Sequence, residues 1–275
     1  MENSEETLLE FKNVEVVFDD DVRALNGISF TVRKGETRII LGAAGSGKTV
    51  LLKTALGLNF ATGGSVFLFG TDITNMKESQ LFEIRSKVGM LFQESALFDS
   101  MSVAQNVAYP LLNQKSISMP REQMEPAVRD SLRFVELEQA IEKYPSELSG
   151  GMRRRVAIAR AVVTKPPLLL YDSPTAGLDP ITAHTIMALI IKERDVDNTT
   201  ALVVTHRYQD GNLVANFRYN SESGRLDPAG DAGTNTIFMV LREGKLVFEG
   251  KQPELEASTD SYVTKFVKRP ERAAA

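Results

Sequence analysis

The run Gly42-Ala43-Ala44-Gly45-Ser46-Gly47-Lys48-Thr49 constrains this chain more than any other feature. It matches G-x-x-x-x-G-K-[ST] and lies between a short apolar strand pattern, TRIILG, and a helical pattern, KTVLLKTALGL. In that setting the glycines let backbone N–H groups turn inward around phosphate oxygens, and the helix N-terminus adds partial positive charge. Lys48 is placed to reach the β- and γ-phosphates, and the Thr49 hydroxyl to ligate Mg²⁺. A chain carrying this loop is expected to be α/β, with a mostly parallel core sheet.

The remaining patterns agree with that class. Residues 8–18 and 27–32 alternate like strands, GSVFLFGTDIT reads as a hairpin with a Gly-centred turn, and VGMLFQ and ALVVTH read as buried strands. Residues from about 104 to 139 are mostly helical, with a looser polar stretch at 113–120. They form an inserted helical lobe, placed near residues 94–160. TIFMVLREGKLVFEG reads as a second hairpin, DSYVTKFVKR as a short amphipathic helix, and PERAAA as a disordered end. Residues 209–235, rich in Gly, Asn, Asp and Ser, read as a surface excursion with no assigned role. The boundaries expected are 8–250 for the main domain and 251–275 for a C-terminal helix and tail.

A phosphate-binding loop of this kind needs a carboxylate on the metal, and Leu168-Leu169-Leu170-Tyr171-Asp172 ends an apolar strand on one. Composition narrows the partners. Net charge is -4, so no basic field is available for nucleic acid. Cysteine is absent, which rules out disulfides and thiolate metal sites and suits a reducing compartment. The acidic, polar start lacks the features of a secretory signal. No run of about 18 apolar residues occurs, so work at a membrane would require a partner.

Leu148-Ser149-Gly150-Gly151-Met152, shortly before that strand, resembles the signature motif of the ABC ATPases, and further motifs follow that family's order. Phe18 stands where the family has an aromatic residue that stacks on adenine, and Gln93 where it has the Q-loop glutamine. Ala176-Gly177-Leu178-Asp179 resembles the D-loop, and His206 matches the switch histidine. The resemblance covers about residues 8–250. It implies the P-loop ABC-ATPase fold, with an antiparallel N-terminal β-subdomain and the inserted helical lobe. It also implies a head-to-tail homodimer, or a pair with a related ATPase subunit, closing around ATP and Mg²⁺. Ser149, Gly150 and Gly151 of one copy, with Asp179 nearby, would complete the phosphate site of the other. Thr49, Gln93 and Asp172 would hold Mg²⁺ directly or through water, and His206 would sense the γ-phosphate.

Within the family, VGMLFQESALFDSMSVAQNVAYPL and LSGGMRRRVAIARA look like the Mla/Mce-type ATPases, which energise phospholipid movement between bacterial envelope membranes. That implies a cytoplasmic subunit held at the inner face of the membrane by a permease, together with an Mce-type lipid-binding subunit. Phe92, Leu97, Phe98, Met101 and Tyr109 exceed a free loop's need for apolar side chains and could line a groove for a partner's coupling helix. The competing reading, a soluble ABC-type ATPase acting on nucleic acid or ribosomes, would carry a long coiled coil, tandem copies or a basic linker; the sequence has none.

One position departs from the family. Ser173 follows Asp172 where most active members have Glu, and a hydroxyl cannot act as a carboxylate base near neutral pH. Hydrolysis that is slow and set by a partner, water orientation by another residue, and ATP binding as a pure switch all stay open. The basic run Arg153 to Arg155 is expected to be solvated or to contact the lobe, and His184 to be structural.

Overall fold

The computed structural model describes residues 6–114, 119–230 and 233–267. Its elements in chain order are β1 (Thr7–Phe18), β2 (Val22–Arg33), β3 (Thr37–Gly42), α1 (Lys48–Ala55), β4 (Gly63–Leu68), β5 (Thr71–Asp72), α2 (Glu78–Arg85) and β6 (Val88–Leu91). Then come α3 (Val103–Asn113), α4 (Arg121–Phe134), α5 (Gly150–Val162), β7 (Leu168–Asp172), α6 (Pro180–Asp197), β8 (Thr200–Val204) and α7 (Tyr208–Asn216). The chain closes with β9 (Phe217–Asn220), β10 (Arg225–Pro228), β11 (Thr236–Arg242), β12 (Lys245–Gly250), α8 (Gln252–Glu256) and α9 (Thr264–Val267).

The main sheet runs β12-β11-β3-β8-β7-β6. All its pairings are parallel except β11 with β12. Every residue of β3, β7 and β8 is buried, because a parallel sheet is covered on both faces. The two-residue period of the strands then divides the core. Ile39, Leu169, Tyr171, Val203 and Phe238 face the helical lobe and α6. Ile40, Leu168, Leu170, Leu202 and Met239 face α1 and a second sheet, β2-β1-β4-β5, which is antiparallel. In that sheet Phe11 pairs with Phe30, with ring centroids 4.8 Å apart.

Helices α3, α4 and α5 make the lobe, burying Val103, Val107, Leu132, Val156 and Ala159. Ser102 starts α3 with a capping box: its hydroxyl accepts from Gln105 N–H at 3.3 Å, and Gln105 Oε1 accepts from Ser102 N–H at 2.8 Å. Of the polar stretch 113–120, residues 115–118 lie outside the described residues, as do 268–275 with the expected disordered end. Among the described residues no helix is long and apolar enough to cross a membrane.

The expected surface excursion at 209–235 is instead largely ordered secondary structure. Residues up to Asn216 form α7, and β9 and β10 pair as an antiparallel ribbon. Gly211 was a poor guide to a loop, because here glycine serves close packing: a Cβ would lie 2.5 Å from the Phe238 ring. Arg194 on α6 donates to the carbonyls of Val214 (2.6 Å) and Phe217 (2.7 Å), and Asp195 accepts from Tyr219 N–H at 2.8 Å. These side chains fasten the segment to α6, a long-range fact invisible to local composition.

Candidate functional site

Strand β3 delivers the chain into the loop at Gly42, and α1 takes it up at Lys48. Gly45 and Gly47 have φ of +77° and +102°, conformations that other residues adopt only under strain. Gly47 is also hemmed in: a Cβ would lie 2.4 Å from the Ala24 carbonyl of β2. At Gly42 it would lie 2.5 Å from Ser46 Oγ and 2.7 Å from the Leu241 carbonyl. The result is a tight backbone ring at a helix N-terminus, a shape suited to anions. Lys48 Nζ folds across it, donating to the Gly42 carbonyl (2.8 Å), the Ala43 carbonyl (2.7 Å) and Ser46 Oγ (3.3 Å). Burial lowers the Lys48 pKa, and the charge of Asp172 opposes that fall.

Parallel pairing brings two more strand ends to this loop. Ser173 N–H donates to the Val204 carbonyl (2.8 Å) and Thr205 N–H to the Ile40 carbonyl (3.0 Å), so the ends of β3, β8 and β7 lie side by side. Asp172 is buried there and accepts from Ser173 Oγ at 3.3 Å. Ser173 adopts φ +50°, an uncommon conformation for serine. His206 is exposed just beyond β8. The Asp172 carboxylate, the Thr49 hydroxyl and the Gln93 amide offer oxygen donors of the kind Mg²⁺ takes. Among the described residues no cluster of three or more His, Cys, Asp or Glu could cage a metal, so such an ion would rely on phosphate oxygens as well.

Gln93 is exposed just after β6, and its loop is held by two arginines of α5, Arg154 from the basic run expected on a solvated or lobe-contacting face and Arg160 beyond it. Arg154 is 6% exposed and donates to the carbonyls of Phe92 (3.1 Å), Gln93 and Ala176 (3.3 Å). Arg160 donates to those of Ser95 and Ala96, both at 2.8 Å. Arg155 does contact the lobe, through the Val135 carbonyl at 3.1 Å. A signal for Arg154 existed: with Ala157, Ile158 and Ala161 it occupies the i, i+3, i+4, i+7 stripe that α5 buries. A second omission is Asp210. Its buried Oδ2 accepts from Thr175 (2.6 Å) and Thr205 (2.7 Å), tying the turn after Asp172 to the approach to His206.

The remaining candidates face elsewhere. Ser149 caps α5, its Oγ accepting from Met152 N–H at 3.2 Å, and both Ser149 and Gly150 are exposed. Gly151 sits on α6: a Cβ would lie 2.5 Å from Thr182 Cγ2. Asp179 caps α6, and the hydrogen bonds from Thr182 and Ile181 hold its carboxyl below the usual range. Two helix tips therefore stand exposed and adjacent, packed on each other. Phe18, 45% exposed, ends β1 opposite Val22, two residues from the Ala24 carbonyl that abuts Gly47. His184 lines a pocket of about 370 Å³ between α6 and the β9–β10 ribbon. Between β6 and the lobe lies a groove of about 400 Å³ lined by Phe92, Ala96, Phe98, Tyr109 and Arg160. Leu97 packs instead against the core.

A phosphate-cradling loop, a strand-end carboxylate and a capped LSGG helix beside an inserted lobe define an ATP-binding cassette. The family model for ABC transporters matches residues 25–176, and the chain belongs to that family. It is 36% identical over 278 residues to the methionine import ATP-binding protein MetN of Corynebacterium efficiens, covering 93% of this chain and 77% of that protein. It is 33% identical over 263 residues to the intermembrane phospholipid transport system ATP-binding protein MlaF of Haemophilus influenzae, covering 96% and 91%. A dimeric cassette in a post-hydrolysis state, bound to ADP and Pi, superposes with a TM-score of 0.73 at 29% identity, covering 89% of this chain and 98% of that one. CbiO1 of Clostridium perfringens, part of an ABC transporter complex, gives 0.77 at 26%, covering 96% and 93%. The chain is thus an ABC-type ATPase that uses ATP with Mg²⁺.

Proposed function

We propose that two copies of this chain close head to tail on two ATP molecules and drive a membrane permease that moves phospholipid or other hydrophobic cargo. The observation that carries the nucleotide half is the Lys48 ammonium folded across the glycine ring, within reach of the charge of the buried Asp172. In this reading Lys48 leaves the loop carbonyls for the phosphates. The backbone N–H groups of residues 43–49 cradle them, and Phe18 stacks on the adenine. Thr49, Gln93 and Asp172 hold the Mg²⁺, which neutralises phosphate charge. Ser149, Gly150 and Gly151 of the second copy, with Asp179 beside them, close over the γ-phosphate, and His206 senses it.

Ser173 offers no carboxylate to polarise the attacking water. Phosphoryl transfer rests chiefly on positioning and charge stabilisation, so turnover persists but slowly. The groove lined by Phe92, Phe98, Tyr109 and Arg160 suits the coupling helix of a permease, since aromatic rings offer apolar area and Arg160 can cap a helix C-terminus. The phospholipid reading rests on the LFQESALF and LSGGMRRR segments and is supported by the likeness to MlaF. An Mce-type lipid-binding subunit would then complete the assembly. The identity to MetN favours a second reading, import of methionine or a similar small solute. Purification with the membrane subunit, mass spectrometry of bound lipid, and ATPase assays with phospholipid vesicles or methionine separate the two. Bound phospholipid and vesicle-stimulated hydrolysis support the first; stimulation by methionine alone supports the second.

A further inference from the structure

The C-terminal segment reaches back to the phosphate loop through one side chain. Ala43 N–H donates to the Tyr262 hydroxyl at 3.1 Å, and that hydroxyl donates to the Leu241 carbonyl at 3.1 Å. Tyr262 is itself fixed. Asp260 accepts from Tyr262 N–H (2.7 Å) and Val263 N–H (3.0 Å), the Arg242 guanidinium lies 5.3 Å from its ring centroid, and Phe266 meets it edge-on at 5.3 Å. Its bond falls on a peptide held from the other side, because the Gly42 carbonyl of the same Gly42–Ala43 unit accepts from Lys48 Nζ at 2.8 Å. The peptide plane is therefore pinned at both ends, by the nucleotide-binding lysine within and by Tyr262 without.

We propose that Tyr262 is a positioning residue for ATP binding: it holds the Gly42–Ala43 peptide in its phosphate-ready orientation when Lys48 moves to the nucleotide. This rests on the reading of the loop as the ATP site. Lys48 has three N–H donors, all spent on Gly42, Ala43 and Ser46, so it can serve phosphate oxygens only by giving up loop bonds, and in this proposal the bond to the Gly42 carbonyl is among those that loosen. The Tyr262 bond persists through the exchange, and the loop need not be reordered at the expense of affinity. The test uses the full-length chain with Tyr262→Phe, which keeps the ring and its packing. Tyr208→Phe is the control: it removes another hydroxyl that anchors the C-terminal segment, one that accepts from Gln252 at 2.7 Å rather than from the loop.

Without nucleotide, amide exchange at Ala43 is expected to quicken about tenfold in Tyr262→Phe and to stay unchanged in Tyr208→Phe. Calorimetry with Mg²⁺-ATP is expected to show binding weakened about 3- to 10-fold in Tyr262→Phe, the range one hydrogen bond spans. The melting temperature should stay level, and Tyr208→Phe should bind within twofold of the parent. Unchanged exchange at Ala43, unchanged affinity in Tyr262→Phe, or equal weakening in the control would each overturn the proposal. A parent chain that binds no Mg²⁺-ATP contradicts the nucleotide reading itself, whatever the exchange rates.

Discussion

The phosphate loop and the tip of α5 differ in how completely one chain finishes them. The loop is closed in from several directions: by the Ala24 carbonyl at Gly47, the Leu241 carbonyl at Gly42, a bond from Gly244 N–H to the Ser46 carbonyl (3.2 Å), and Tyr262. The α5 tip has its cap and its seat on α6, yet Ser149 and Gly150 present their small surfaces outward. A helix end with exposed N–H groups is a half-site for anions, useful only when something carries a phosphate to it. On the proposed reading, a single copy builds a rigid binding surface and an unpaired lid, and hydrolysis belongs to the pair.

Substitutions on either side should separate binding from turnover. The largest effect is expected for Lys48→Ala, which removes the ammonium folded across the loop; calorimetry should show Mg²⁺-ATP affinity falling at least ~100-fold, as loss of charge-assisted bonds implies. Retained affinity would break the contrast at its rigid side. Next is Ser173→Glu, which restores a carboxylate where water would attack. Steady-state ATPase assays should show a rate increase approaching ~10²-fold, with Ser173→Ala within a few-fold of the parent. A Glu variant no faster than the parent would show that another group orients the water.

A smaller change is expected for Arg154→Gln, which releases the Gln93 and Ala176 carbonyls together. ATP affinity should hold while the turnover rate falls about tenfold, since the loops move but the phosphate ring does not. Equal losses in both would place Arg154 among supports of the whole fold.

The smallest effect is on stability. Glu193 on α6 is buried, and its pKa is raised to about 7 by that burial, with the charge of Asp197 adding to it. A carboxyl raised in the folded state favours folding while protonated, and the advantage fades as pH rises from its ordinary range through about 7. Melting curves should therefore show Glu193→Gln gaining on the parent between pH 5 and pH 8, by about 2 kcal/mol at most. A constant gap across that range would mean that Glu193 is already ionised in the fold at pH 5, as in the unfolded chain, and that burial does not raise its pKa.

Much of the rigid half was legible in the sequence because its rules are local. Glycines at 45 and 47, a lysine after them, and apolar strands ending at Gly42 and Asp172 specify loop and strands within a few residues. Serine before Gly-Gly similarly announces the α5 cap. Contacts across the fold were illegible. Arg154 looked like part of a basic run until α5 turned it inward, and Asp210 gave no hint that two threonines from different strand ends would converge on it. Gly211 and its neighbours resembled loop composition because close helix–sheet contact and chain reversal both favour glycine. Tyr262 acts on a loop more than 200 residues earlier, a separation of 219, which no spacing rule reaches.

Sedimentation of the Ser173→Ala chain with Mg²⁺-ATP, beside the same chain carrying Ser149→Arg, separates the binding surface of one copy from its unpaired lid. The first is expected to form an ATP-dependent dimer. The second is expected to stay a monomer that still takes up ATP, because the large cation blocks the lid and leaves the loop intact. A Ser149→Arg chain that dimerises as readily on ATP, or one that loses nucleotide binding as a monomer, would contradict that division.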